Sequence, residues 1–267
     1  MPTGRSTNYG NAQIMNFLFG GSQMNIPQTW YAAYAMGTSS PSSMGAEPNG
    51  AGYARKAILN TGAFWNTSIA QHKVNQEAIL WAPAESNQGN VQSVVLYDSP
   101  VNGNPWFYFP LNQPKVIEDG DAMTIPVGAL SVDFTSGLFS NTIKNQILNY
   151  MMGGVQMQLP ANYYLGYTIS ASSDVTPGTE PAGGGYARIN VPNASGIFAS
   201  SATGNKTTAL DLTFQEATSS QGTAVGIAFF TAITGGTFVA HASMPNRAID
   251  QATTPFIPAG LMDLMLS

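Results

Sequence analysis

The chain has 267 residues, of which only 9% are charged, against about 25% in an average globular protein. Its formal net charge is -5, and its 9 Lys and Arg residues are too few for the clustered cations that nucleic-acid binding requires. The chain has no cysteine, which excludes disulfides and thiolate-bound metals and fits folding in a reducing compartment.

Nothing in the sequence indicates a membrane segment or a secretory signal. No stretch reaches the roughly 18 apolar residues of a membrane-spanning helix. Residues 1–8 are polar and lack the apolar centre of a signal peptide. We therefore expect no membrane partner.

The chain contains one segment twice. Residues 13–60 recur as residues 146–193 at a constant offset of 133, which becomes 132 near Gly103, the match of Gly235. Each copy is close to the commonest size of a single domain, so each is expected to have its own core. We predict an N-terminal arm at residues 1–9, a first domain at residues 10–134, a linker at residues 135–142 and a second domain at residues 143–267.

Each copy begins with one short predicted helix. In residues 12–19, apolar side chains recur at helical spacing before Gly20, a residue suited to end a helix. The second copy predicts the same helix at residues 145–152, before Gly153. The helix and the glycine that follows it are thus a repeated feature.

The next predicted element is a strand followed by a long polar loop. Residues 30–36 are rich in aromatic and small side chains and contain no breaker, which is typical of a strand, and residues 163–169 match them in the second copy. Residues 37–50 and 170–184 follow them and are rich in Gly, Pro and polar residues. We expect these loops to be exposed and to contact neighbouring molecules.

A hairpin and a last strand complete each copy. The hairpin turns are Asn102-Gly103 and Gly235-Gly236, and the last strands lie at residues 130–134 and 261–266. About seven short strands and one helix per copy predict a mainly β, or all-β, fold. We expect two tandem β-sandwich or jelly-roll-like domains, each with one short N-terminal helix.

Both copies carry the sequence Gly-Tyr-Ala-Arg, in which the tyrosine and arginine of a strand would share one face. The repeated residues are Gly52, Tyr53 and Arg55 in the first copy and Gly185, Tyr186 and Arg188 in the second. The arginine either binds a partner or stabilises the fold by holding loop carbonyls or pairing with Glu47. The second interpretation is favoured because Glu180 keeps the same spacing to Arg188.

The side chains that catalysis needs are few, and the two copies do not share them. His72 and His241 match Asn205 and Phe109, and neither has an acidic neighbour that would suggest a triad or a metal site. We therefore predict structural or surface roles for both histidines and predict that the chain is not an enzyme.

Four carboxylates in the first copy allow two further interpretations, a calcium site and the paired carboxylates of a sugar hydrolase. They are Asp98, Glu118, Asp119 and Asp121. The second copy has Thr231 in place of Asp98 and Thr253 in place of Asp121, so this chemistry is not repeated. We predict no cofactor and no metal.

Large aromatic side chains follow one another at two places in the first copy. Trp65 follows Phe64, and Trp106 precedes Phe107. Such side chains form sugar-binding platforms, hydrophobic cores or subunit interfaces. We name Trp65, Trp106, Phe107 and, in the polar arm, Arg5 as candidate contacts to neighbouring subunits.

In their order along the chain, these motifs resemble a family of tailed-bacteriophage virion proteins. The resemblance rests on the helix closed by Gly-Gly, the Pro-aromatic strand, the long polar loop, Gly-Tyr-Ala-Arg, the glycine hairpin and the terminal Pro-x-Gly. Members are described as head decoration or cement proteins and as tail-fibre-like proteins. The resemblance implies a β-sandwich that binds other virion proteins, with no catalytic residues, in a virion assembled in the host cytoplasm.

The most specific hypothesis is a capsid decoration or cement protein that binds the outside of the head. A protein that binds only the assembled lattice stabilises it by mass action, and two linked domains can bridge capsid subunits. The expected partners are the major capsid protein or other virion proteins and further copies of the chain, for example in a trimer. The alternatives are a tail, tail-fibre or baseplate component, a carbohydrate-binding module for host surface glycans, and a glycan hydrolase.

Overall fold

The computed structural model describes residues 3–50, 52–134 and 137–265, and it is mainly β with one short helix at the start of each copy. In the first copy the elements are β1 (Thr3–Ser6), α1 (Asn8–Leu18), β2 (Thr29–Ala35), β3 (Lys56–Leu59), β4 (His72–Val74), β5 (Ile79–Leu80), β6 (Gly89–Tyr97), β7 (Pro105–Ile117), β8 (Thr124–Ile125) and β9 (Ser131–Asp133). In the second copy they are α2 (Asn141–Met151), β10 (Asn162–Thr168), β11 (Ile189–Pro192), β12 (Asn205–Thr207), β13 (Leu212–Thr213), β14 (Gly222–Phe230), β15 (Phe238–Ile249), β16 (Phe256–Ile257) and β17 (Asp263–Met265). The predicted fold class is confirmed.

The two copies share one topology. A four-stranded antiparallel arrangement, β3-β2-β6-β7, is repeated as β11-β10-β14-β15. The short pairs β4-β9 and β5-β8 are repeated as β12-β17 and β13-β16. In the first copy β1 joins β7 to β9, which gives a seven-stranded sheet in the order β3-β2-β6-β7-β1-β9-β4.

Both helices begin at a hydroxyl cap and are followed, two residues after their last residue, by a glycine. Thr7 accepts a hydrogen bond from the backbone N–H of Gly10, and Ser140 accepts one from Ile143, as N-cap residues do. These caps place α1 and α2 a few residues earlier than predicted. After each helix the chain turns at Gly20 (φ 143°) or Gly153 (φ 139°), a conformation that favours glycine.

The predicted arm and linker are parts of the fold. The arm contributes strand β1, which pairs antiparallel with β7 through Arg5 and Tyr108 and parallel with β9. In the second copy the matching segment bridges Phe139 to Ala240. The prediction of a linker was therefore wrong for residues 137–142, which the structure describes, because Ser140 caps α2. Residues 135 and 136 lie outside the described residues.

The two copies do not have separate hydrophobic cores. Most buried apolar side chains of both copies belong to one continuous cluster, and a small second cluster lies on β2, β6 and β7 of the first copy. Phe19 of the first copy packs on Tyr163, Phe198 and Phe229 of the second, with ring centroids 5.1–5.6 Å apart. The expectation of one core per copy was wrong, because the helix end of one copy enters the apolar interior of the other.

Candidate functional site

The C-terminal end of each helix is held by the other copy. The backbone N–H of Gly153 donates to Asn60 Oδ1 at 2.8 Å, and that of Gly20 donates to Asn193 Oδ1 at 2.7 Å. Asn60 and Asn193 are repeat-equivalent, so the contact is reciprocal. Two further reciprocal contacts join Asn149 to Ser68 and Asn16 to Ser201. The copies therefore meet like the two subunits of a symmetric dimer.

Two buried lysines lie at this junction. Lys73 is 1% exposed and donates from Nζ to the carbonyl of Met152, while Lys206, which is 2% exposed, lies beside Gly20. Burial lowers the pKa of each lysine to about 8. Sequence reasoning missed both lysines, although they occupy the same repeat position in a chain with few cations.

In the first copy, Arg55 of the repeated motif links the long loop to the tip of the hairpin. Its guanidinium pairs with Glu47 at 2.6 Å and donates to the carbonyls of Ser99 at 2.8 Å and Asn102 at 2.6 Å. The guanidinium carbon also lies 3.5 Å from the ring centroid of Tyr97. A forked, stacked guanidinium of this kind holds several groups at once.

Arg188 repeats the arrangement in the second copy. It pairs with Glu180 at 2.6 Å and donates to the carbonyls of Ala232 at 2.8 Å and Gly235 at 2.7 Å. Burial would raise the pKa of Glu180, but hydrogen bonds from Arg188 and Tyr186 outweigh it and lower that pKa. This is the arrangement that the fold-stabilising interpretation predicts.

The glycine of each motif has a conformational role. Gly52 (φ 74°) and Gly185 (φ 77°) take left-handed backbone angles at the turn before the tyrosine. The motif precedes the strand instead of lying in it, since the strand starts at Lys56 or Ile189, and Ala54 is exposed. Tyr53 and Arg55 nevertheless contact the same carboxylate, that of Glu47.

Three of the four candidate subunit contacts are buried within the chain itself. Trp65, Trp106 and Phe107 are 0%, 1% and 0% exposed. Their prediction as subunit contacts was wrong, because their side chains fill the core face of the first copy. Arg5 on β1 is exposed, so its contact with a neighbour remains a prediction.

The fold brings each histidine to an aspartate that is distant in sequence. His72 Nδ1 pairs with Asp133 at the surface, and His241 Nε2 lies 3.0 Å from Asp174 Oδ1. Asp174 also pairs with the fully buried Lys144 at 2.6 Å. Burial would raise the pKa of Asp174, but its bonds to Lys144 and His241 lower it. This cluster ties α2 to the loop at residues 170–184.

The carboxylates of the first copy are used in turns. Asp98 accepts hydrogen bonds from the backbone and side chain of Asn104, and Asp121 accepts one from the backbone of Glu118. Among residues 3–50, 52–134 and 137–265, no group of three or more His, Asp or Glu side chains is placed to hold a metal ion.

Neither described helix is long and apolar enough to span a bilayer.

Two of the surface grooves lie beside features described above. A groove of about 310 Å³ at the junction, here the junction groove, is lined by Phe17 and Tyr150, by the segments after both helices and by Asn193. A second groove of about 240 Å³, here the β3 groove, runs beside strand β3 and is lined mainly by Lys56, Leu59, Phe64, Glu77 and Ile79.

The comparison with known families matches the duplication. Residues 5–133 and residues 138–265 each match the family described as Gp80, podophage GP4 fiber I protein gp80. The two matches together span nearly the whole chain, so the chain belongs to this family of phage fiber proteins and is a structural protein of the virion. No curated protein matches the chain.

Proposed function

We propose that the chain is a structural subunit of a podophage fibre that acts by binding other virion proteins, without catalysis and without a cofactor. The observation that carries the proposal is the double match, because both copies belong to a fiber protein family. The finer hypothesis of a capsid decoration protein has no comparable support. It is kept as a competing outcome of the experiment below.

The geometry fits a role in assembly. Reciprocal helix contacts and one continuous core join the two copies into a single body. The long loop and the hairpin of each copy are fixed by an arginine instead of being left mobile. Such a body presents two similar but non-identical outer faces, which suits neighbours that are only nearly equivalent.

Two further observations support this proposal over two of the alternatives. A glycan-binding platform built on Trp65 or Trp106 would need exposed aromatic rings, and both rings are buried. A hydrolase would need a convergent pair of carboxylates, whereas Asp98 and Asp121 serve separate turns.

Electron microscopy of a phage with the gene deleted tests the proposal. We expect virions that lack one set of fibres, with fibres restored when the chain is supplied in trans. In wild-type virions, gold-labelled antibodies against the chain should bind along fibres. Intact fibres in the deletion phage, with gold over the head shell, would overturn the proposal in favour of the decoration hypothesis.

A further inference from the structure

Strand β3 ends its sheet with an open hydrogen-bonding edge. The N–H of Asn60 donates to the carbonyl of Gln28, so Ile58 and Asn60 direct their backbone groups toward β2. By the alternation of an antiparallel ladder, Ala57 and Leu59 direct theirs outward. The N–H and C=O of Ala57 and the N–H of Leu59 have no hydrogen-bond partner in the part of the chain that the structure describes.

The equivalent edge in the second copy is blocked. The N–H of Asn193 donates to Ala161, so Asn190 and Pro192 of β11 direct their backbone groups outward. Pro192 occupies the position of Leu59 and has no N–H to donate. Proline on an edge strand is a device that prevents pairing with another chain.

The far side of each four-stranded arrangement carries the same device. The part of β7 beyond its pairing with β1 contains Pro110 and Pro114, and β15 contains Pro245. Strand β3, in contrast, has the sequence Lys-Ala-Ile-Leu and no proline. Among these four strands, β3 is therefore the one without proline, and Lys56 at its first position is its one charged residue.

The surroundings of β3 are apolar with one charge of each sign. The side chains of Leu59 and Leu80 are 64% and 54% exposed, although both residues belong to strands. The β3 groove is lined by the cation Lys56 and the anion Glu77, and neither forms an ion pair within the described residues. An exposed apolar edge with unpaired charges is typical of an interface.

We propose that β3 pairs with β3 of a second copy of this chain, antiparallel and about a twofold axis at Ile58. Ala57 of each chain then lies opposite Leu59 of the other, and each such pair exchanges two N–H···O bonds. The carbonyl of Leu59, which already accepts from Thr61, has a second lone pair available. The large Leu59 side chain meets the small Ala57 on the same face.

The occupant is a second copy because the edge is complementary to itself. In a twofold-symmetric contact the same surface patch of both chains meets, so that patch must be complementary to itself. The twofold axis carries Lys56 of one chain toward the β3 groove of the other, where Glu77 supplies the opposite charge. The blocked edge at Pro192 stops this mode of pairing after two chains, so it gives a closed dimer.

Sedimentation equilibrium of the full chain tests the contact through Leu59→Pro. We expect the wild-type chain to dimerise in the micromolar range and Leu59→Pro to weaken dimerisation by about 100-fold or more. The substitution should leave the fold intact, since Pro192 occupies the same place in β11, and circular dichroism would verify this. Leu210→Ala, which trims an exposed leucine of the second copy, is the matched control and should leave the dimer unchanged. A wild-type monomer at about 100 μM, or a dimer that Leu59→Pro leaves intact, would overturn the proposal.

Charge reversal tests the twofold register. Lys56→Glu and Glu77→Lys should each weaken the dimer by about fivefold, and the double variant should regain most of the loss. If Leu59→Pro abolishes dimerisation but the double variant shows no recovery, β3 pairs with another strand and the twofold arrangement is wrong.

Discussion

The ammonium group of Lys73 donates a hydrogen bond to the carbonyl of Met152, the residue that follows helix α2 in the other copy. A carbonyl at a helix C-terminus has no partner within its own helix and attracts a cation. The equivalent Lys206 lies beside Gly20 at the end of α1. Each copy therefore completes the helix of the other, as two subunits of a homodimer would.

The two lysines make stability depend on pH in the alkaline range. Their pKa is about 8 in the folded chain, against an ordinary value of 10.5. Between these values the unfolded chain binds more protons than the folded chain, so the free energy of unfolding rises with pH. We expect the melting temperature to increase from pH 7.5 to about pH 10.

Above about pH 10 the trend should reverse. Burial raises the pKa of Tyr167 to about 12, and it raises that of Tyr163 further, so the folded chain keeps protons that the unfolded chain loses. Differential scanning calorimetry from pH 7 to pH 11 measures both limbs. A Lys73→Met, Lys206→Met double variant should lack the rising limb, and an unchanged profile in that variant would contradict the assignment.

Replacing Arg55 by Ala should destabilise the chain by about 3 kcal/mol, because the half-buried Glu47 and two hairpin carbonyls lose their donor. Arg55→Lys should recover only part of this loss, since an ammonium lacks the planar fork. Arg188→Ala is the matched variant in the second copy and should cost a similar amount. Urea unfolding measures all three, and a loss below about 0.5 kcal/mol for Arg55→Ala would show that the residue is dispensable for the fold.

Trp65 tests the distinction between a core residue and a surface contact. Its equivalent in the second copy is Phe198, and its buried Nε1 has no hydrogen-bond partner among the described residues. Trp65→Phe should therefore change stability by less than about 1.5 kcal/mol, whereas Trp65→Ala should cost about 3–5 kcal/mol through the cavity it leaves. Chemical denaturation measures both, and a neutral Trp65→Ala would contradict its place in the core.

The repeat allowed much of each copy to be predicted from the sequence. Helix α1 before Gly20 and the hairpin at Asn102-Gly103 follow from local spacing and turn chemistry, and each was visible twice. The junction could not be predicted in this way. Lys73 meets Met152 only because two copies pack about an approximate twofold axis, and no short-range pattern encodes that packing. Trp65 was misassigned for a related reason, because an aromatic residue has the same local sequence signature in a core as at an interface.

Opening the blocked edge should extend assembly. Pro192→Leu restores the outward N–H of β11 and copies the residue at position 59, so β11 would offer an open edge as β3 does. We expect this variant to form chains larger than a dimer, which size-exclusion chromatography with light scattering would detect. Pro192→Leu combined with Leu59→Pro should return to a species no larger than a dimer. A Pro192→Leu variant with wild-type size would show that proline is not what blocks the edge.

A fragment of residues 1–134 should form a homodimer rather than a monomer. The residues that hold the helix ends are the same in both copies, with Asn60 matching Asn193 and Lys73 matching Lys206, so two first copies can make the reciprocal contacts. Because dimerisation supplies both helix contacts, the melting temperature of the fragment should rise with its concentration. In the fragment dimer, Asn60→Ala removes both of the equivalent contacts, whereas in the full chain it removes one of the two. The loss in free energy of unfolding should therefore be about twice as large in the fragment. A fragment that melts at the same temperature at every concentration would show that one copy folds without the other.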